Sequence, residues 1–500
     1  MIKKLLIANR GEIAVRIMRG CRELGIPTVA VYSEVDRESL HVQAADEAVC
    51  IGPPAPLQSY LSIDAIIDTA KATGADAIHP GYGFLAENHL FAQWCEEEGI
   101  VFIGPDSKAL KLVGDKVASR ETMTKAEVPI IPGMMHKGGR TEDFMAEADR
   151  IGYPVLIKAS LGGGGKGMRV VRSKDELKEA VEAGMREAKS AFGDESVYIE
   201  KYIEEPRHVE FQILADKHGH AIHLFERECS IQRRHQKIVE ETPSTALSEE
   251  LRAEMGEIAL KVVKASGYTN AGTVEFLLDK DGNFYFLEVN ARLQVEHPIT
   301  ELVTGVDLVH QQIRIASGEK LPLRQEDLKQ RGHAIECRIY AEDPENNFLP
   351  SPGKILFMQE PGGPGVRHDC GVYSGWAVPV HYDPILSKLI VWGENREIAR
   401  QRMISALSEL TILGIQTTVG FLRDVVAHPE FGAGRTYTSF IEKNMTVWKE
   451  GGERECLDVA LAAAAITSLE NKSRPKGTVQ LREEALTPWQ TVGKWEIASS

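Results

Sequence analysis

Over the first hundred residues, short apolar runs alternate with stretches whose apolar positions recur every three or four residues. Residues 3–8 read as a buried strand, Glu12 to Glu23 as a helix and Thr28 to Tyr32 as a second strand. The alternation continues with a helix near Ser62 to Thr73, a strand at Ala75 to His79, a helix near Asn88 to Glu98 and a strand at Val101 to Ile103. Short strands that alternate with helices predict a doubly wound parallel sheet. The first connection, Ala8-Asn9-Arg10-Gly11-Glu12, lacks the G-x-G-x-x-G spacing, so a dinucleotide site is not expected there.

Pro129-Ile-Ile-Pro-Gly133 marks entry into a second unit. It holds a strand at Val155 to Ala159, the loop Gly162-Gly-Gly-Gly-Lys-Gly167, a strand at Met168 to Arg172 and a charged helix from Lys174 to about Lys189. Four glycines after a strand let backbone N–H groups approach phosphate oxygens and suit a mobile cover. The loop is not a Walker A sequence, and a plain surface turn is the competing reading. Lys158, at the end of the apolar strand, aims a fixed positive charge toward it. From Tyr202 onward the pattern is richer in strands, as in a mixed α+β domain.

The hydrophobic pattern also brings acids together. Thr273 to Leu278 and Asn283 to Asn290 flank Asp279-Lys-Asp-Gly282, which predicts a hairpin with Glu275 opposite or nearly opposite Glu288. Two carboxylates on adjacent strands repel unless a cation lies between them, and Mg²⁺ fits such a pair. Polar residues at 288, 290, 292, 294 and 296 alternate with apolar ones. If the chain stays extended, Glu288, Asn290, Arg292, Gln294 and Glu296 share one face, where an Arg and a Glu can hold an oxyanion and take its proton. Cys229 to Lys237 is the densest basic segment, and Arg233, Arg234, His235 and Lys237 suggest anion capture.

Composition narrows the classes. Five hundred residues with 43% hydrophobic and 26% charged positions fit a soluble, multidomain globular chain. The net charge of −15 argues against nucleic acid or an anionic membrane as partner. Seven scattered cysteines without a C-x-x-C pair suit reduced thiols in the cytoplasm. The apolar start ends too early for a signal peptide, and no run approaches membrane-spanning length.

Taken together, several segments resemble the biotin carboxylase family of ATP-grasp enzymes. They are Ile7 to Ala14, His79 to Asn88, Lys158 to Met168, Glu200 to Tyr202, Pro206 to Glu210, Glu226 to Lys237, Glu288 to Pro298, His333 to Arg338 and Phe348 to Gly353. The likeness spans about residues 1–446 in order. It implies an N-terminal doubly wound domain (1–115), the start of the ATP-grasp unit (116–202) with a lid over about 131–202, a catalytic domain (203–330) and a mixed C-terminal domain (331–446). Residues 447–500 form an appendage.

By resemblance, Lys116 and Lys158 bind ATP phosphates and adenine-side groups, and Gly164, Gly165 and Met168 form the lid loop. Glu200, Lys201 and Ile203 meet the adenine; His208, Gln232 and His235 meet the ribose and phosphates. Glu275 and Glu288, helped by Asn290, hold Mg²⁺ or Mn²⁺. Lys237, Arg292, Gln294 and Val295 hold bicarbonate, Glu296 removes its proton, and Arg338 stabilises the enolate form of biotin. No Met-Lys dipeptide occurs, so the biotin-bearing Ala-Met-Lys-Met motif is absent. A separate biotin carboxyl carrier protein and carboxyltransferase are therefore expected, as is a homodimer, the usual state in this family. Leu457 to Leu469 favours a helix, and Trp489 and Trp495 offer apolar area for docking a partner or for packing back on the chain.

Overall fold

The computed structural model describes residues 2–134, 141–159, 168–192 and 195–449. Gly164 and Gly165 of the glycine loop, and the tail with its expected helix and tryptophans, lie outside the described residues.

The N-terminal sheet has five strands, in spatial order Glu47–Gly52, Thr28–Ser33, Leu5–Ile7, Ala77–His79 and Val101–Phe102, all parallel. The first strand lies at the centre, so the chain winds outward in both directions, as the alternating pattern predicts. Helix starts sit where the side chains dictate. Ser62, Asn88 and Asp106 each accept a backbone N–H of the following turn, and Gly74 closes its helix in the left-handed region at φ 68°. The edge strand Glu47–Gly52 escapes the sequence pattern because Ile51 is its one buried apolar residue.

The second unit is a three-stranded antiparallel sheet, Arg169–Val171, Val155–Ala159 and Val197–Lys201. Its core joins Val155, Ile157, Val197 and Ile199 to Phe144, Leu177 and Val181 of the helices Thr141–Ile151 and Lys174–Phe192. Strand parity therefore turns Leu156 and Lys158 toward the opposite face, where they line the central cleft.

An eight-stranded sheet carries the rest. Its spatial order is Phe284–Asn290, Asn270–Leu278, Arg207–Ala215, Ala221–Arg233, Gln236–Thr242, His333–Tyr340, Ile385–Gly393 and Val366–Cys370, antiparallel throughout. The pairing of Gln236–Thr242 with His333–Tyr340 fuses the central and C-terminal regions, and places Arg338 in the same sheet as Lys237. The expected α/β and α+β ATP-grasp architecture is thus present, with two cores meeting across one sheet.

Buried Glu241 ties this junction to the helix Arg396–Glu409. It accepts from His333 Nε2 at 2.8 Å and from Arg396 Nε at 2.6 Å. Burial alone would raise its carboxyl, but the His333 hydrogen bond and the Arg396 charge outweigh it and hold the pKa at about 2. A carboxyl depressed below its unfolded value of about 4.3 contributes stability above that pH and loses it as pH falls toward about 2. Glu241→Gln is therefore expected to be less stable than the wild type at neutral pH. Denaturant midpoints of the two proteins should converge as pH drops through that window, and a constant gap would contradict the assignment.

Candidate active site

The hairpin forms in the predicted register. Glu275 pairs with Glu288 and Thr273 with Asn290, with a bulge at Leu287. Asp279 builds the turn by accepting the Asp281 and Asn283 N–H groups at 2.9 Å, and Gly282 supplies φ 85°. Its two acids differ. Glu275 is buried, accepts from Lys237 Nζ at 2.7 Å and Gln294 Nε2 at 3.0 Å, and faces His208 Nε2 at 3.1 Å. Glu288 opens onto the cleft, and its carboxyl is raised by the enclosing protein and then by the Glu275 charge.

Lys237 is the hub. Its ammonium donates to Glu210 at 2.5 Å, Glu275 at 2.7 Å and Glu296 at 2.8 Å, which engages all three of its hydrogens. Glu296 Oε2 also accepts from Arg338 Nη2 at 3.0 Å, while Arg338 Nε binds Glu240 at 2.6 Å. Burial would raise the Glu296 carboxyl, but Lys237, Arg338 and Arg227 hold it well below the usual carboxylate range. Glu296 is therefore ionised at neutral pH.

The stretch after the hairpin departs from expectation. The strand ends at Asn290, and Glu296 has φ −80° and ψ 8° where the helix His297–Thr304 begins. An extended chain would carry Glu296 away from Lys237; the turn brings it back. Arg292, Gln294, Val295 and Glu296 still line one cleft, through the turn rather than through strand parity. Arg292 donates to Glu87 Oε2 at 3.2 Å and to Asn290 Oδ1 at 3.0 Å. Gln294 is fixed at both ends, donating to Glu275 and accepting from Arg227 Nη2 at 2.8 Å.

The cleft, ≈ 1320 Å³, continues from this charged end past Gln232, His208 and exposed His235 to Ile203, Lys201, Glu200, Lys158 and Met168. That volume admits a nucleotide together with a small anion. Lys116 and Arg120 line an adjoining cavity that shares Lys158, Glu200 and Glu288. Lys158 and Arg120 both face the Glu200 carboxylate. The Lys201 ammonium is committed to the Gly152 and Tyr153 carbonyls at 3.0 and 3.1 Å, so its aliphatic and backbone atoms are what it offers the cleft.

The basic segment divides. Lys237 reaches the hub, but Arg233 pairs with Glu342 at 2.8 Å and stacks on Phe348 at 4.2 Å. Arg234 donates to Asn347. Arg234 and His235 form the turn between two strands, with φ values of 49° and 67°, and line the cleft with Lys237, whereas Arg233 is engaged by Glu342 and Phe348.

The donors suit a hard divalent cation. Glu275 and Glu288 supply carboxylate oxygens, and the raised Glu288 carboxyl is what a cation between the pair relieves. Asn290 stands beside them, with Oδ1 turned to Arg292 and a buried Nδ2 lacking a hydrogen-bond partner.

Sequence reasoning missed the supporting layer. Fully buried Arg227 binds Glu210, Gln212, Thr273, Thr300 and Gln294. Glu210, Glu240 and Glu87 hold Lys237, Arg338 and Arg292 in turn. A signal was present: His208, Glu210 and Gln212 alternate with Val209, Phe211 and Ile213, the same parity that exposed Glu275 and Glu288.

Known proteins resemble this chain along most of its length. Residues 1–110 match the biotin carboxylase N-terminal domain, 115–324 the ATP binding domain of the carbamoyl-phosphate synthase L chain, and 336–443 the biotin carboxylase C-terminal domain. The chain is 56% identical over 440 residues to a biotin carboxylase of Nostoc sp., covering 88% of this chain and 98% of that one. It is also 56% identical over 443 residues to a pyruvate carboxylase subunit of Methanothermobacter thermautotrophicus, covering 89% and 90%. Among solved structures, the biotin carboxylase domain dimer of Hydrogenobacter thermophilus 2-oxoglutarate carboxylase, in complex with MgADP, ADP and bicarbonate, superposes with a TM-score of 0.85. It is 49% identical and covers 90% of this chain and 100% of that one. The chain belongs to the biotin carboxylase family of ATP-grasp ligases.

Proposed function

We propose that this chain uses ATP and bicarbonate to carboxylate biotin on a separate carrier protein, the first half-reaction of a multi-subunit carboxylase of acetyl-CoA or another acyl-CoA. The observation that carries the reading is Glu296, an ionised carboxylate held between Lys237 and Arg338 at one end of a nucleotide-sized cleft. Bicarbonate is a poor electrophile and must first be activated by attack on the γ-phosphorus, forming carboxyphosphate and ADP. When the anion enters, it competes with Glu296 for the Lys237 donor and with Glu87 for Arg292. That competition raises the carboxylate's affinity for a proton at the moment it must remove one from bicarbonate. Carboxyphosphate then yields CO₂ and phosphate beside biotin. Phosphate takes the N1 proton, and Arg338 stabilises the resulting enolate oxygen.

Lys116, Lys158 and Met168 serve the nucleotide with the loop containing Gly164 and Gly165. Glu200, Lys201 and Ile203 serve its base, and His208, Gln232 and His235 its ribose and phosphates. Gln294 and Val295 complete the bicarbonate site. Glu275, Glu288 and Asn290 hold Mg²⁺ or Mn²⁺, which neutralises charge on the phosphoryl oxygens. A homodimer is supported by the dimeric Hydrogenobacter domain, and a carboxyltransferase is the partner for the second half-reaction. The equal identity to a pyruvate carboxylase subunit favours pyruvate as the second acceptor to test.

The purified chain, given ATP, Mg²⁺, labelled bicarbonate and free biotin, is expected to cleave ATP only with bicarbonate and to place acid-labile label on biotin. ATP cleavage with no label on biotin would overturn the proposal.

A further inference from the structure

We infer that Lys388, a fully buried lysine behind the cleft wall, is a positioning residue that sets the backbone of the bicarbonate-handling turn. The inference rests on the function proposed above. Lys388 lies in the strand Ile385–Gly393, between Ser387 and Leu389, and is 0% exposed. Its Nζ donates to the Val295 carbonyl at 2.7 Å and faces Glu12 Oε2 at 3.3 Å, while the other Glu12 oxygen accepts from the Tyr82 hydroxyl.

The register gives this contact its meaning. Lys388 is the cross-strand partner of Arg338, so the two cations sit side by side on one face of the sheet. Arg338 binds the Glu296 side chain at 3.0 Å, and Lys388 binds the carbonyl of the residue before it. The preceding carbonyl, that of Gln294, is held at 2.7 Å by the His297 ring. Both carbonyls leading into Glu296 are thus fixed by buried side chains, that of Gln294 locally by His297 and that of Val295 by Lys388 from a distant strand. Because a peptide group is planar, holding the Val295 oxygen fixes the plane that carries the Glu296 nitrogen, and with it the point from which the carboxylate projects.

Stability alone does not account for the lysine. A buried ion pair is on balance no more stabilising than apolar residues of the same size, and an apolar strand could take a methionine at this position. What methionine cannot do is donate to Val295 and link that oxygen to Glu12 on the helix Gly11–Glu23 and, through it, to Tyr82. Three separate parts of the chain therefore converge behind a turn whose front face handles the anion.

The test is steady-state bicarbonate-dependent ATP cleavage by the full chain carrying Lys388→Met, with melting temperature measured in parallel. A misplaced base should raise KM for bicarbonate and lower kcat, for a combined loss of roughly 10- to 100-fold in kcat/KM for bicarbonate. KM for ATP should stay within about twofold, because the nucleotide end of the cleft does not touch this turn. If Lys388→Met does not fold, Glu12→Gln gives the same readout, since it withdraws the buried counter-charge and keeps the side-chain size. The inference is overturned if the folded variant keeps the bicarbonate KM and kcat of the wild type, or if KM for ATP rises in step with that for bicarbonate. Arg292→Ala is measured beside it. If that variant too leaves bicarbonate kinetics unchanged, the reading of the site itself has failed; if Arg292→Ala is impaired and Lys388→Met is not, the positioning inference alone falls.

Discussion

Glu296→Ala is expected to lose bicarbonate-dependent ATP cleavage by roughly 10²- to 10⁴-fold in kcat, the range of a positioned general base, with the fold retained. Retention follows from the partners left behind: Lys237 keeps Glu210 and Glu275, and Arg338 keeps Glu240, so no buried cation is stranded. The activity loss follows from the ionised state of Glu296. Held down by Lys237, Arg338 and Arg227 against the upward push of burial, it is free to take a proton at neutral pH. Its removal takes away the group proposed to accept the bicarbonate proton. Carboxybiotin should fall in parallel, because nothing downstream forms without carboxyphosphate. Arg338→Gln behaves differently. It removes the charge proposed to stabilise the biotin enolate and weakens only one of two cationic contacts to Glu296. Carboxybiotin formed per ATP cleaved should therefore drop for Arg338→Gln. Equal loss of both activities in the two variants would sink this division of roles.

Legibility in the sequence followed the range of the interactions involved. The N-terminal alternation of strands and helices, their caps at Ser62 and Asn88, and the hairpin pairing of Glu275 with Glu288 are local, so spacing alone exposes them. The segment 288–296 was legible as a polar series and not as a shape. Its alternation reads as a strand, yet Glu296 reaches Lys237 only because the chain turns at the start of the next helix, a choice set by tertiary contacts to Arg227, Arg338 and Lys388. Arg233 looked like Lys237 because charge density carries no direction, whereas successive residues of a strand point to opposite faces: Gln232 pairs with Lys237 across the hairpin, and Arg233 turns to Glu342. Lys388 was hidden for the opposite reason, as the one charged residue in a mostly apolar strand whose partners lie at positions 12 and 295. Buried ion pairs of such sequence separation leave no periodic trace, although a lysine inside a core strand is itself a cue to look for one.

The acids of the hairpin should show a trade of stability for function when one is neutralised. Glu275 and Glu288 are direct cross-strand partners, and like charges placed so oppose folding. The Glu288 carboxyl, raised by the enclosing protein and then by Glu275, carries that repulsion in the metal-free chain. Glu275 cannot escape it by taking a proton, because Lys237 and His208 outweigh burial and hold it well below the ordinary range. Glu288→Gln is therefore expected to raise the stability of the metal-free protein slightly, by up to about 1 kcal/mol, the scale of one cross-strand charge pair. The same change removes a proposed carboxylate ligand and should lower turnover at saturating ATP by roughly 10²- to 10³-fold, as when one preorganised group that offsets transition-state charge is lost. The two effects separate in a titration. Mg²⁺ with a nucleotide should raise the melting temperature of the wild type in proportion to the logarithm of its concentration above Kd, and that rise should shift to much higher Mg²⁺ in Glu288→Gln. Near-normal turnover at saturating Mg²⁺ would show that Glu288 is not a ligand. A metal-free variant less stable than the wild type would show that its carboxylate is a structural partner rather than one half of a charged pair waiting for a cation.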